Sequence, residues 1–314
     1  MSHFERALEL AERGRGKTGD HPLVGAVVVR DGEVVGEGWY EYDRVRHAET
    51  IALEQAGDAA RGATLYVTLE PCSHHGRTPP CADAVVAAGI ARVVVGARDP
   101  NPVVDGRGLE RLRAAGLEVE LLDDLAARRQ NEAWRVWKSL GRPFVTYKAA
   151  VTLDGRLSVR GRRWVSGEES RRLVHELRAA SDAVAVGMGT VRADAPQLDA
   201  RDVRAVTQPR RLAFGRGPLP EGSELELRSG PLDEELPALA AEGVQSLLLE
   251  GGPTLATAFL TAGLVDKLLF FLAPVLAGDG PHVLGGLDAP LDLLHVRAEA
   301  SGADVLVEAY AHEP

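Results

Sequence analysis

The only two cysteines of the chain, Cys72 and Cys81, fall in one short stretch, residues 71–81 (PCSHHGRTPPC), downstream of His47-Ala48-Glu49. One imidazole and two thiolates are a ligand set for zinc, with the fourth tetrahedral position open to water. A closed four-ligand site would be structural; an open three-ligand site is suited to catalysis. Zinc held this way brings the pKa of its water toward neutrality. Glu49, two residues beyond the histidine, can move a proton without binding the metal. Two plainer readings compete. The cysteines could be inert buried thiols, or His74 or His75 could close a structural zinc site as a fourth ligand.

His-x-Glu followed by Pro-Cys and a second cysteine is the pattern of zinc deaminases. The commoner spacing there is Cys-x-x-Cys, whereas here eight residues separate the thiolates. HAE, this long loop and Asp99-Pro100-Asn101-Pro102 together resemble the pyrimidine deaminase half of bifunctional riboflavin-biosynthesis deaminase/reductases (RibD type). In that family the loop between the cysteines helps hold substrate.

The flanking sequence supplies elements to position these groups. Phe4, Ala7, Leu8 and Ala11 recur at helical spacing over residues 4–12. Residues 24–30 and 34–39 flank Asp31-Gly32, a hairpin signal. His47 and Glu49 open a helical stretch, AETIALEQAG. Residues 63–69 read as a strand, Cys81 opens a second helix that stops at Gly89, and 92–97 read as a strand. A helix over 109–115 and a strand over 117–122 follow, and alternating strands and helices indicate an α/β domain. Residues 125–140 read as one helix, with Trp134 and Trp137 as packing residues. Gly141-Arg142-Pro143 breaks the pattern and divides the chain into domains 1–142 and 143–314.

In the second half, strands are expected over 144–151, 183–186, 210–214, 246–249, 267–272 and 304–310, and helices over 168–178 and 255–262. Ser166 or Gly167 is the expected cap of the first of these helices. Residues 218–236, dense in glycine, proline and charge, read as surface loop. Two strand–glycine–helix junctions stand out, Gly187-Met188-Gly189-Thr190 and Glu250-Gly251-Gly252-Pro253-Thr254. Backbone N–H groups at such junctions can meet a phosphate. No G-x-G-x-x-G occurs in a βαβ setting, so a Rossmann domain is not supported.

Composition narrows the function classes. The net charge of −10 argues against a nucleic-acid-coating surface. The N-terminal MSHFERALELAERGRG lacks the apolar core of a secretory signal. No run approaches a membrane span, and two cysteines make no disulfide framework. A soluble, cytoplasmic protein is expected, without nucleic-acid or membrane partners.

VTYKAAVTLDGRLS, RWVSG, HELRAASDAVAVGMGTVRADAPQLDAR, LEGGPTLATAFL and LVDKLLFFLAP resemble the reductase half of the same bifunctional family. The match leaves residues 207–241 poorly covered. The resemblance implies a cytidine-deaminase-like three-layer α/β/α first domain and a dihydrofolate-reductase-like α/β second domain. It implies zinc and NADPH as cofactors, a pyrimidine ribosyl phosphate as substrate, and a homo-oligomer. Carried over to this sequence, it makes His47, Cys72 and Cys81 the zinc ligands and Glu49 the proton shuttle. His74 and Arg77 would contact substrate in the deaminase. Lys148, Arg178, Asp194, Leu198, Arg201 and Glu250 would face substrate in the reductase. Ala150, Trp164, Thr190 and the run Gly252, Pro253, Thr254, Leu255, Ala256, Thr257, Ala258 would face NADPH. The forks of Arg178 and Arg201 suit a ribose phosphate, while an ion pair between Arg201 and Asp202 is the plain alternative. Five positions depart from the family pattern: His21 stands for Asn, Tyr40 for His, Arg162 for a substrate-binding Ser, and Gly215-Arg216 for Asp-Ser. The rival reading is a zinc nucleobase or nucleic-acid deaminase with a degenerate or accessory reductase-like domain.

Overall fold

The structure is a computed structural model and describes residues 1–15, 19–76, 78–203 and 207–314. It divides into two compact units, Met1–Leu140 and Gly141–Pro314.

In the first unit, α1 (His3–Glu12) starts at Ser2, whose hydroxyl accepts from the Glu5 N–H while the Glu5 carboxylate accepts from the Ser2 N–H. Strands β1 (Gly25–Arg30) and β2 (Glu33–Trp39) form the expected hairpin. Asp31 and Gly32 at its tip both have positive φ, 52° and 83°, as a type I′ turn requires. There follow α2 (Ala48–Ala56), β3 (Thr64–Leu69), α3 (Cys81–Ala87), β4 (Arg92–Ala97), α4 (Arg107–Ala114), β5 (Glu118–Leu121), α5 (Leu125–Gln130) and α6 (Glu132–Leu140). The sheet order is β2-β1-β3-β4-β5, with β3, β4 and β5 parallel. Alternation along β1 explains the layers. Val27 and Val29 pack on Ala7 and Leu10 of α1. Ala26 and Val28 face the opposite core with Ala52, Val85 and Leu112 from α2, α3 and α4. The result is the expected three-layer α/β/α arrangement.

Two glycines set α2, the element that carries Glu49, hard against the sheet. A Cβ on Gly36 would lie 2.1 Å from the Ala52 carbonyl oxygen, and one on Gly38 would lie 2.2 Å from that of Ala48. No side chain fits at either position.

The single helix expected over 125–140 is two. Asn131 breaks it, with φ −117° and ψ 21°. Its side chain is committed elsewhere: Oδ1 accepts from the Leu23 N–H at 2.7 Å and Nδ2 donates to the Leu23 carbonyl at 2.8 Å. This long-range clamp outweighs helical periodicity.

The second unit contains β6 (Phe144–Thr152), α7 (Glu168–Ala179), β7 (Ala183–Gly187), α8 (Met188–Asp194), β8 (Arg210–Phe214), β9 (Glu226–Arg228), α9 (Leu232–Ala241), β10 (Ser246–Leu249), α10 (Pro253–Thr261), β11 (Lys267–Ala273), β12 (Leu294–Ser301) and β13 (Asp304–Tyr310). Its sheet order is β12-β13-β11-β6-β10-β7-β8-β9, antiparallel only where β13 meets β11 and β12. One face packs on Leu236, Leu239, Ala256 and Phe259 from α9 and α10. The other packs on Val174 of α7 and on Met188 and Val191 of α8. Gly167, rather than Ser166, occupies the N-cap of α7.

Two expectations fail here. Residues 218–236 are not all loop, since they contain β9 and the start of α9. Leu236, Leu239 and Ala240 form a buried i, i+3, i+4 stripe, and Asp233, Glu234 and Glu235 occupy the first turn of α9, where the helix dipole favours acids. Pro237 inside the helix hides this pattern from a sequence reading. The edge strand β12 was also missed, because it is mostly exposed and lacks an apolar face.

Candidate active sites

The first site is assembled at two helix starts. His47 is the N-cap residue of α2 and Cys81 the first residue of α3. Cys72 follows Pro71 just beyond β3, where its carbonyl accepts from the Ala82 N–H at 3.1 Å. The His47 Nδ1 lies 3.1 Å from the Cys81 Sγ and 3.8 Å from the Cys72 Sγ. All three donor atoms fall within 4.8 Å of one another. Tetrahedral zinc with ordinary bond lengths spaces N and S by roughly 3.5 Å and two S atoms by roughly 3.8 Å, so the donors fit that ion. The free imidazole nitrogen is held as well: Nε2 lies 3.3 Å from the Thr78 hydroxyl. With Nδ1 toward a metal, Nε2–H donates to Thr78 and fixes the ring.

The charge state of the trio also suits a cation. Hydrogen bonding from Cys81, helped by His47, pulls the Cys72 thiol down to about 4. The resulting thiolate, together with burial, pushes the Cys81 thiol up. The hydrogen bond to Cys72 raises His47. Two sulfurs share one proton where a dication would let both ionise. Among the described residues neither His74 nor His75 joins this cluster. The described donors number three, which leaves a position for water.

Glu49 is 3% exposed. Burial raises its pKa despite the opposing pull of His47. A carboxyl that holds its proton more readily than usual, beside a ligand cluster, can both accept and return one. His47, Glu49 and Cys72 line a cavity of about 300 Å³, whose wall also includes His21, Tyr40, His74, Asp99, Asn101, Trp134 and Lys138. The rings of His21 and Tyr40, two of the departures from the family pattern, lie 5.0 Å apart, and Tyr40 meets His47 edge-on at 5.6 Å. Arg77 lies outside the described residues.

Glu70, between β3 and the cysteine loop, was given no role by the sequence reading. It is 3% exposed, and its carboxylate accepts from the N–H groups of Asp99, Gly106, Gly108 and Leu109 at 2.8–3.2 Å. One side chain thereby ties together the Cys72 loop, the Asp99 loop and the start of α4. Its placement immediately before Pro-Cys was the one available signal. Asp99 itself is buried, and desolvation pushes its carboxyl up to about 7.

The second site lies at the carboxyl ends of the parallel strands in the Gly141–Pro314 unit. Glu250 follows β10, Lys148 lies on β6 and Arg178 lies on α7. Arg178 donates from Nε to the Glu250 Oε1 at 2.6 Å and from Nη2 to Oε2 at 3.1 Å, and the Lys148 Nζ is 3.4 Å from Oε2. Burial pushes the Glu250 carboxyl up, but Lys148 and Arg178 outweigh it and hold it below its usual range. The fork of Arg178 is therefore occupied by Glu250 rather than open to a phosphate. Arg201 is exposed and pairs at 3.0 Å with Asp199, not with Asp202. Asp194 is exposed at the end of α8. The Leu198 side chain is 2% exposed, packed in the core with Val184 and Met188, so only its main chain can face a ligand.

The residues expected to face NADPH divide by exposure. β7 and β10 are parallel neighbours, which brings their glycine junctions together. A Cβ on Gly252 would lie 3.6 Å from the Thr190 hydroxyl, and one on Gly187 would lie 3.5 Å from Leu255. The N-terminus of α10 has Pro253 in its first turn and no side-chain cap, leaving backbone N–H groups for a phosphate oxygen. Gly252, Pro253, Thr254 and Leu255 form that opening, and it fits the pyrophosphate of a dinucleotide. Ala256 is buried in the core, and the Thr257 hydroxyl accepts from the Gly285 N–H at 2.9 Å. Ala258 is exposed. Ala150 lies on β6, two residues beyond Lys148. Trp164 is 50% exposed and lines a cavity of about 510 Å³ with Arg162, Arg163, Arg171 and Asp304. The Arg216 carbonyl accepts from the Arg192 Nη2 at 2.7 Å.

Comparison with known proteins covers both units. The cytidine and deoxycytidylate deaminase zinc-binding region matches residues 1–97, and the RibD C-terminal domain matches residues 143–307. The chain is 38% identical to the riboflavin biosynthesis protein RibD of Aquifex aeolicus, over 98% of this chain and 97% of that one. It is 40% identical to RibD of Escherichia coli, over 92% of each. A solved structure from Thermotoga maritima superimposes with a TM-score of 0.82 at 35% identity, covering 98% of this chain and 97% of that one. That protein is described as a diaminohydroxyphosphoribosylaminopyrimidine deaminase/5-amino-6-(5-phosphoribosylamino)uracil reductase. With both halves matched in order, a nucleobase or nucleic-acid deaminase with a degenerate or accessory reductase-like domain is not favoured, and the chain belongs to the RibD family of riboflavin biosynthesis, whose members join a zinc-dependent deaminase to an NADPH-dependent reductase.

Proposed function

We propose that the first domain, residues 1–142, hydrolyses the 2-amino group of 2,5-diamino-6-ribosylamino-4(3H)-pyrimidinone 5′-phosphate. The second, residues 143–314, then reduces the ribosyl group of the product to ribityl. The observation that carries this reading is the His47, Cys72 and Cys81 cluster, with Glu49 buried and lining one cavity with His47 and Cys72. Zinc held by those three residues would supply the Lewis acidity that makes water nucleophilic at neutral pH. Glu49 takes the proton from the attacking water and returns it to the departing amine, and ammonia leaves. Thr78 keeps the His47 ring oriented, and Glu70 holds the loops that form the cavity wall. His74, and Arg77 in the same loop, contact substrate.

In the second domain NADPH would supply the hydride to the ribosyl C1′. The α10 N-terminus, Thr190 and Trp164 hold the dinucleotide. Glu250, pinned between Lys148 and Arg178, presents a fixed carboxylate to the sugar, and Lys148 sits at hand to donate as the ring opens. Arg201 and Asp194, both exposed, close on the substrate from the loop and helix beyond β7. A homo-oligomer in the cytoplasm completes the proposal, and sedimentation and cell fractionation test those two points. The reaction itself is tested by supplying the diaminopyrimidine to the zinc-loaded chain. Ammonia release followed by NADPH oxidation is expected, and ammonia release without NADPH oxidation would leave only the deaminase half standing.

A further inference from the structure

The deaminase cavity is rich in acid. Its described lining includes the carboxylates Asp20, Glu49, Glu70 and Asp99. Among the described residues, Lys138 is the only lysine or arginine in that wall. Lys138 lies in the last turn of α6, one turn after Trp134, so the two share a helical face. Among the described residues no carboxylate pairs with it. Its ammonium instead rests 3.9 Å from the centroid of the Trp137 ring, a contact that positions the cation without neutralising it. Trp134 is 6% exposed, and its indole N–H is buried with no partner among the described protein atoms. Buried donors are nearly always satisfied. An unneutralised ammonium and an unsatisfied N–H on one helical face of the cavity call for an anionic ligand with several acceptor oxygens.

From these observations we infer that Lys138 recognises the 5′-phosphate of the deaminase substrate, pairing its ammonium with the phosphate oxygens at the wall formed by α6. The inference rests on the phosphoribosylaminopyrimidine reading above. Among the described residues Lys138 is the one lysine or arginine that the acidic cavity offers to a phosphate dianion. The competing role is purely structural, since a lysine in a last turn also complements the helix dipole. That role would affect stability rather than substrate choice.

The test uses the zinc-loaded full chain and two substrates, the phosphorylated diaminopyrimidine and its dephosphorylated counterpart. Lys138→Gln should raise KM for the phosphorylated substrate about tenfold more than for the dephosphorylated one, equivalent to about 1.4 kcal/mol, with kcat for the phosphorylated substrate little changed. Lys138→Arg should restore most of the difference. Melting curves confirm that both variants fold. Equal KM changes for the two substrates, or a lowered melting temperature with no KM change, overturn the inference while the substrate reading stands. Failure of the wild type to deaminate any phosphorylated pyrimidine overturns both.

Discussion

Removing the Glu250 carboxylate should destabilise the second unit far more than a surface charge change would. Glu250 is 10% exposed and its partners Lys148 and Arg178 are 13% and 14% exposed. Glu250→Ala leaves two cations facing each other in a poorly solvated site. Breaking a buried pair from one side costs about 3–5 kcal/mol. For a unit of this size, that is a fall of roughly 6–20 °C in melting temperature. Lys148 and Arg178 hold the Glu250 pKa below its unfolded value, so the stabilisation is fully present above the unfolded pKa. It is lost as pH falls through the folded one. The gap between wild type and variant should therefore be widest at neutral pH and shrink in acid. The assay is thermal unfolding of the full chain at several pH values. A zinc chelator identifies the transition of the first unit, and the other transition is the one to follow. Replacing Glu250 with Leu and both cations with Met should cost less than Glu250→Ala alone, because no buried charge is left uncompensated. A Glu250→Ala cost below about 1 kcal/mol, the same at every pH, would refute the buried triad, since that is the scale of a solvated surface pair.

Glu49→Gln should keep zinc, measured by metal analysis, and abolish ammonia release, because an amide cannot shuttle a proton; loss of the metal would make Glu49 a ligand. Cys72→Ser should remove zinc and deamination yet leave NADPH oxidation intact on pre-deaminated substrate, since the second unit contributes no cysteine; a folded variant that loses reduction along with zinc would show the two chemistries to be coupled. Asp99 is pushed up to about 7 by burial, so the folded state binds its proton more tightly and loses stability as pH rises from the unfolded value toward 7. Asp99→Asn should flatten that loss and gain on the order of a few kcal/mol above pH 7; parallel melting profiles for variant and wild type would contradict it.

The grouping of His47, Cys72 and Cys81 was legible because each sits where a local sequence signal also lies. His47 precedes the first turn of α2, Cys81 opens α3, and Cys72 follows the proline that ends a strand. Ligand identity and element boundary coincide, so reading one locates the other. The parts that escaped are those whose partners are distant main-chain atoms. Glu70 binds N–H groups up to 39 residues away and Asn131 binds a backbone 108 residues away. A backbone N–H carries no residue type, so no pattern of side chains announces that it will be used. The pairing of Arg178 with Glu250 escaped for a related reason. Its partner Glu250 is 72 residues distant, and each residue alone reads as a group free to meet a ligand. The placement of β10 between β6 and β7 brings them together. The sequence thus names the chemistry of a site more readily than the groups that hold it in place, because ligands must be particular atoms while their supports need only be hydrogen-bonding groups that the fold delivers to one point.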